Sequence, residues 1–329
     1  MEPKKDLVTF LKEMNKKHGE NSIIRVGDSV VQQVEFNPTG VLSFDLALGG
    51  GFGKGRIIEL FGLESSGKTS LSLMAIAESQ KAGNLCGFID VEQAMDFEYA
   101  QLLGVNLDDL VFNQPDNAES ALEILDSMID SGLFSIIVLD SVAALTLKSE
   151  LEGEMGDLSI GKLGKLMAQA TRKIGAKTRQ TNTTVIFINQ LRDKIGAYIP
   201  TTVTTGGHAL KFAASQRVEI TKGTQIKNGD EVIGGLMKIR VVKNKVFVPF
   251  KKAEADLIFG QGIDKLKDTL QMAVDKGIIL RSGSWYSYGD TKLGQGIDKV
   301  RDLVQDNPEL VEEITEKLYK SIKKKDVEV

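Results

Sequence analysis

The sequence predicts an α/β fold: a mostly parallel sheet flanked by helices, with a short helix before it and a small α+β domain after it. Three observations carry this. Short apolar runs recur through the middle of the chain, bounded by turn residues or followed by a helical pattern, as parallel strands buried on both faces require. One of them, Arg56-Ile57-Ile58-Glu59-Leu60-Phe61, hands over to a glycine-rich loop and then to a helical stretch from Ser70 to Ala77. After Gly262 the apolar spacing changes, marking a second unit.

At the start, Leu7, Phe10, Leu11 and Met14 share one helical face among lysines, so residues 4–18 read as an amphipathic helix ended by Gly19. A β-prone stretch, Ser22 to Val34, completes an N-terminal segment of residues 1–34. Its apolar stripe can fold back on its own domain or dock on a neighbouring copy, and the residues alone leave both open. The core occupies residues 35–263, with strands at Ile57–Phe61, Leu85–Asp90, Ile136–Asp140 and Thr183–Gln190. Closer runs at Arg217–Ile220, Met237–Val242 and Val246–Val248 predict antiparallel hairpins at one sheet edge. Residues 264–329 form the last domain, with a helix over 264–276, a strand at Trp285–Tyr288, and helices from Gly296 and Pro308.

Composition bounds the function class. An apolar fraction of 42% and a charged fraction of 26% are ordinary for a water-exposed globular chain of 329 residues. The N-terminus lacks the apolar core of a signal peptide, and no run is long enough to span a bilayer. A single cysteine, Cys86, sits in an apolar run and makes no internal disulfide, so the expected location is cytoplasmic. The net charge of −4 hides an asymmetry: Leu158–Val218 holds ten basic residues and one acid, a local +9 that leaves −13 elsewhere. A single-sign segment in an acidic protein is what a polyanion site needs, although a solvated basic helix face would look the same.

The residues with chemistry lie at the ends of the strands, where a doubly wound sheet binds its ligands. Gly62-Leu63-Glu64-Ser65-Ser66-Gly67-Lys68-Thr69 has the form G-x-x-x-x-G-K-[ST]. Its backbone N–H groups can close around phosphates, Lys68 can reach the β and γ oxygens, and the Thr69 hydroxyl can ligate Mg²⁺. The second strand ends at Asp90 and leads to Glu92, placed to polarise a water. The third ends in Asp140, an apolar strand closing on a carboxylate that can hold Mg²⁺. The fourth ends at Asn189-Gln190, whose amides could contact a terminal phosphate. Taken alone, Asp140 and Glu92 each also read as helix N-caps, but the convergence of all four strand ends on one sheet edge argues against coincidence.

Six segments closely resemble the bacterial RecA recombinase family: the loop at 62–69, Phe88–Glu92, Val138–Leu145, Phe187–Arg192, Thr205–Phe212 and Val241–Lys245, in order along nearly the whole chain. The resemblance implies a RecA-type P-loop NTPase core that uses ATP and Mg²⁺, and DNA-dependent ATP hydrolysis driving homologous pairing and strand exchange in a helical filament. It implies Glu92 as the base, Lys68 and Gln190 as catalytic partners, and Gln190 as the switch linking the γ-phosphate to the second DNA loop. Nucleotide contacts fall to Gly62, Glu64, Ser65, Ser66, Gly67, Lys68, Thr69, Ser70 and Asp140, with Asp96 and Tyr99 on the adenine side. Lys243 and Lys245 reach across to the adjacent protomer's phosphates. Residues 152–165 and 191–207 resemble the two DNA loops, with Lys165, Arg172, Arg192, Gly206, Gly207 and Lys211 at DNA and Phe212 in the subunit interface. Single- and double-stranded DNA are the implied partners, the duplex gathered by the last domain with Lys265, Lys267, Lys292 and Lys299. A repressor-type coprotease partner is left open.

Departures from the family pattern are Leu63 for proline, Gln93 for histidine, Ser159-Ile160 in the first loop, a shorter second loop with Tyr198-Ile199-Pro200 at its tip, and a lysine-rich end without an acidic tail. Two alternatives share the core fold: a hexameric helicase, and a filament that keeps ATP without efficient strand exchange.

Overall fold

A computed structural model describes residues 3–20, 22–25, 34–154, 161–193 and 202–326. The chain divides into two units, residues 1–35 and 36–329. In the first, α1 (Pro3–His18) ends where Asn15 folds the following chain back. The Asn15 side chain donates to the Ile23 carbonyl (3.0 Å) and accepts from the Ile23 N–H (2.9 Å). Leu7, Val8 and Phe10 are exposed on α1. Most of the β-prone stretch expected at 22–34 lies outside the described residues.

The second unit opens with β1 (Phe36–Asn37), α2 (Leu42–Leu48) and β2 (Phe52–Gly53), the two strands pairing antiparallel. Then follow β3 (Ile57–Gly62), α3 (Lys68–Lys81), β4 (Leu85–Asp90), α4 (Phe97–Leu102), β5 (Leu110–Asn113), α5 (Ala118–Asp130), β6 (Phe134–Asp140), α6 (Lys148–Leu151), α7 (Lys162–Thr181) and β7 (Thr184–Asp193). After β8 (Thr202–Thr204) and α8 (Ala209–Ala213) come β9 (Gln216–Asn228), β10 (Glu231–Asn244), β11 (Lys252–Ile258) and β12 (Gly262–Ile263). The main sheet runs β12-β11-β10-β9-β3-β7-β6-β4-β5, parallel from β9 to β5 and antiparallel beyond β9.

Each central strand is apolar on both faces because helices cover both. Ile58, Leu60, Val138 and Ile186 join one cluster with Leu71, Leu73 and Met74 of α3. Their alternates Ile57, Ile137, Val185 and Phe187 join another with Leu125 of α5 and Ile174 of α7. Two neighbouring residues of one strand therefore feed opposite cores, the period of two that side chains on a strand obey.

The edge hairpin expected between Arg217–Ile220 and Met237–Val242 is present as β9 and β10, while two other details differ. β9 pairs antiparallel with β10 from Gln216 to Asn228, and over Gln216–Ile220 its other edge pairs parallel with β3, from Ile58↔Gln216 to Gly62↔Ile220. The short α8, too brief to read from periodicity, provides the crossover that makes this parallel pairing possible. Val246–Val248 form no strand. Phe247 and Val248 are exposed, and β11 pairs with β10 instead.

The C-terminal elements are α9 (Lys265–Asp275), β13 (Leu280–Ser282), β14 (Trp285–Tyr288), β15 (Thr291–Gln295), α10 (Ile297–Gln305) and α11 (Pro308–Asp326). They enclose their own core of Leu270, Ile279, Tyr286, Leu293, Val300, Val304, Ile314 and Leu318. It is tied to the main sheet's side by Lys265–Glu78 and Lys267–Asp256, both 2.7 Å, and by Asp268 accepting the Ser43 N–H at 3.0 Å.

Candidate functional site

The glycine-rich loop spans the gap from β3 to α3, so the first backbone N–H groups of α3 face into it, the arrangement that binds phosphate. Its first glycine is required by the sheet, since a Cβ on Gly62 would lie 2.0 Å from the Ile220 carbonyl oxygen of β9. Lys68 turns back along the loop, its Nζ donating to the Leu63 carbonyl at 2.7 Å. Burial pushes its pKa down from 10.5, while the Asp140, Glu92 and Glu64 carboxylates oppose that shift.

Facing the loop, the ends of β4, β6 and β7 bring three polar side chains together. The Thr69 hydroxyl donates to Asp140 Oδ2 at 2.6 Å. Asp140 is 6% exposed, and burial lifts its carboxyl to about 6, with Glu92 and Asp90 adding to the effect. Glu92 is placed by the chain itself, because the N–H groups of Val91 and Glu92 both donate to the Asp140 carbonyl (2.6 and 3.2 Å). Its Oε1 accepts from Ser141 Oγ (2.6 Å) and from Gln190 Nε2 (2.8 Å). A cleft of about 710 Å³ collects Glu64, Ser65, Ser66, Gly67, Lys68, Thr69, Ser70, Glu92, Tyr99, Asp140 and Gln190.

Several expected residues sit elsewhere. Asn189 is fully buried and turned away from the cleft, its Nδ2 donating to Glu59 (3.1 Å) and to the Thr205 carbonyl (3.0 Å), which leaves Gln190 as the amide that lines the cleft. Asp90 is engaged by the Met95 N–H (3.1 Å) and Gln114 Nε2 (3.0 Å). Asp96 is the N-cap of α4, accepting the Tyr99 N–H at 2.9 Å, and does not line the cleft. Tyr99 does, its hydroxyl 2.9 Å from Ser70 Oγ. Lys243 and Lys245 lie away from this cleft. Lys243 Nζ donates to the carbonyls of Lys211 (2.9 Å) and Phe212 (3.0 Å) at the end of α8. Burial and the neighbouring cations Lys245, Arg217 and Lys211 push its pKa down to about 8.

Ser141, Leu257–Gly260 and Glu59 belong to the surroundings of the site without having been singled out. Glu59 had a signal, because a carboxylate in the middle of an apolar strand must find a partner.

Around the second loop, Gly206 and Gly207 adopt positive φ (82° and 77°), and the space a Cβ on Gly206 would take is occupied by Val142 at 2.8 Å. A Cβ on Gly207 would lie 3.5 Å from Gly164 in the first turn of α7, so the roots of the two loops meet through glycines. Lys165 and Arg172 are exposed seven residues apart on α7, and Arg192 and Lys211 are exposed nearby in the chain. The basic window is weaker than its count. Lys173 and Lys177 pair with Asp126 and Asp130 of α5, and Arg217 is buried against Glu59. Residues 155–160 and 194–201, including Ser159, Ile160 and Tyr198–Pro200, lie outside the described residues.

The family model described as the RecA N-terminal domain matches residues 5–264, and that of the RecA C-terminal domain matches residues 267–323. The chain belongs to the RecA family. It is 52% identical over 315 residues to "Protein RecA" of Porphyromonas gingivalis, covering 95% of this chain and 92% of that one. Against "Protein RecA" of Bacteroides thetaiotaomicron the identity is 51% over 324 residues, 98% of each chain, and against that of Paracoccus denitrificans 48% over 318 residues, 95% of this chain and 89% of that one. Membership makes the chain a nucleotide-using ATPase of a family that binds DNA and forms filaments. Among the described residues no helix is long and apolar enough to cross a membrane, and Cys86 is buried.

Proposed function

We propose that this RecA-family chain hydrolyses ATP in the cleft at the ends of β3, β4, β6 and β7, assembles head-to-tail on single-stranded DNA, and catalyses homologous pairing and strand exchange. The observation that carries the site assignment is the contact of Gln190 with Glu92, in a cleft that also holds Lys68, Thr69 and Asp140.

Glu92 acts as the base that takes a proton from the attacking water, with Ser141 orienting its carboxylate. Lys68, whose Nζ rests on loop carbonyls, turns to the β- and γ-phosphate oxygens, supported by the backbone N–H groups of residues 64–70. Thr69 and Asp140 present a hydroxyl and a carboxylate as hard oxygen ligands on one side of the cleft, the donor set Mg²⁺ takes beside nucleotide phosphates. Bound there, Mg²⁺ would neutralise charge developing on the phosphates. Tyr99 and Asp96 serve the adenine side, Tyr99 directly and Asp96 by capping the helix that carries it.

Gln190 reports the γ-phosphate to the second DNA loop, since β7 continues directly from Gln190 to Arg192. Lys165, Arg172, Arg192 and Lys211 contact DNA phosphates, and the N–H groups of Gly206 and Gly207 add main-chain contacts, so binding is independent of base sequence. Lys243 and Lys245 complete the nucleotide site of the adjacent protomer, and Phe212 and residues 1–34 make the junction, a contact that repeats without closing. Residues 35–263 form the ATPase core and residues 264–329 gather duplex DNA. In that domain Lys265 and Lys267 are held in ion pairs, which leaves Lys292 and Lys299 exposed for the task. The site of action is the cytoplasm.

Electron microscopy with single-stranded DNA and a non-hydrolysable ATP analogue tests the assembly. An open helix is expected; closed rings would favour the helicase alternative. Turnover indifferent to DNA would reject the assignment outright.

A further inference from the structure

Glu59 lies in the middle of β3, three residues before the phosphate loop, and is fully buried. Its two oxygens hold different parts of the molecule. Oε1 accepts from Asn189 Nδ2 of β7 at 3.1 Å. The same nitrogen donates to the Thr205 carbonyl at 3.0 Å, one residue before Gly206, while Asn189 Oδ1 accepts the Gln190 N–H at 2.9 Å. Oε2 pairs with the Arg217 guanidinium of β9, which lies 4.5 Å from the centre of the Phe61 ring. Across the ladder, Arg217 is the partner of Lys243. Phe187, Glu59, Arg217 and Lys243 thus form one continuous row over four strands.

We infer that Glu59 is a positioning residue that couples the γ-phosphate contact at Gln190 both to the root of the second DNA loop at Thr205 and to Lys243. This deepens the proposed function and rests on it, because Gln190 and Lys243 there serve two successive nucleotides along the filament. Glu59 is thereby the link through which one protomer relates its own nucleotide to its neighbour's.

Packing alone gives no reason for the pair. Apolar side chains of similar volume hold a buried sheet as well as a buried ion pair does, and often better, whereas a charge pair holds its partners in one specific arrangement. Asn189 adds a second reason. With one amide nitrogen shared between Glu59 and Thr205, and its oxygen on the Gln190 N–H, a shift of β7 at Gln190 strains the Thr205 contact and the Glu59 contact together. The steps from Gln190 through Asn189 to Thr205 and Glu59, and from Glu59 to Arg217, are each a hydrogen bond or an ion pair, and the last step to Lys243 is cross-strand adjacency in the ladder.

Two variants cut the link from opposite ends. Glu59→Gln with Arg217→Met removes both charges at once, leaving neither buried alone, and Asn189→Leu removes the shared amide while keeping the ion pair. For each, single-stranded DNA affinity is measured with a non-hydrolysable ATP analogue and with ADP, alongside analogue affinity and thermal melting. The ratio of the two DNA affinities is expected to fall about tenfold in both variants, with analogue affinity and cooperative melting retained. A wild-type ratio in either variant overturns the inference. So does loss of DNA binding with both nucleotides, or loss of the melting transition in both, because the side chains would then serve the fold alone. A wild-type protein whose DNA affinity ignores the nucleotide would defeat the proposed function itself, an outcome told apart by the wild-type measurement.

Discussion

Gln190 donates to Glu92 Oε1 across 2.8 Å, and Ser141 Oγ donates to the same oxygen at 2.6 Å. One oxygen of the proposed base is therefore engaged twice, once by the side chain proposed to sense the γ-phosphate. If Gln190 turns to a phosphate it gives up its contact with Glu92, so sensing and release of the proposed base would be one movement. Glu92→Gln should lower turnover by about 10²- to 10⁴-fold with nucleotide affinity near wild type. Gln190→Ala should bring the stimulation of ATP hydrolysis by DNA down toward one. Steady-state ATPase assays with and without oligonucleotide read both.

The position of Lys243 and Lys245 outside their own protomer's cleft allows a mixing experiment. Glu92→Gln protein and Lys243→Ala/Lys245→Ala protein should each be nearly inactive in the assembled state. Mixed in equal amounts, they should recover activity at about a quarter of the junctions, where an intact Glu92 meets intact lysines. No recovery, measured as DNA-dependent turnover of the mixture, would place all catalytic groups within one protomer.

Asp140 supplies a pH dependence. Its carboxyl is raised from 3.8 to about 6, chiefly by burial. A carboxylate whose folded pKa exceeds its unfolded one contributes stability that is complete below 3.8 and lost as the pH rises toward 6. Mg²⁺ requires the ionised form, so Mg²⁺-dependent nucleotide affinity should weaken as the pH falls below about 6, by up to about tenfold per unit. Asp140→Asn should bind weakly and without that slope. Titration of a fluorescent nucleotide across this range distinguishes the two.

Phe212 is 70% exposed at the end of α8, where the backbone carbonyls of Lys211 and Phe212 hold Lys243. Truncating an exposed ring costs the isolated fold little, so Phe212→Ala should shift stability by no more than about 0.5 kcal/mol. Filament assembly should nevertheless require a several-fold higher protein concentration, read by light scattering. A large drop in melting temperature instead would assign the ring to the core.

How much was legible in advance depended on the reach of each signal. The phosphate loop, the carboxylate ending β6, and helices such as α9 and α11 follow from residues adjacent in the chain, whose spacing, burial period and capping groups act locally. The parallel start of β9 was not legible, because five residues of α8 are too few to show a helical period. That Asp96 caps α4 was not read from the sequence, which offered it only by resemblance as an adenine-side residue. Charge counting overstated the basic window, since Lys173 and Lys177 meet carboxylates of α5 47 residues away.

By itself, the sequence determined that a phosphate loop joins a buried strand to a helix, that carboxylates end neighbouring strands, and that basic residues cluster in one stretch, because each of these is written in contiguous residues. Tertiary structure alone decided that Gly62 must be glycine against Ile220, that Asn189 faces inward while Gln190 faces the cleft, and that Glu59 meets Arg217, 158 residues away. Those outcomes depend on strand order and register. A carboxylate in an apolar strand announces that it needs a partner, but only the neighbouring strand can say which one.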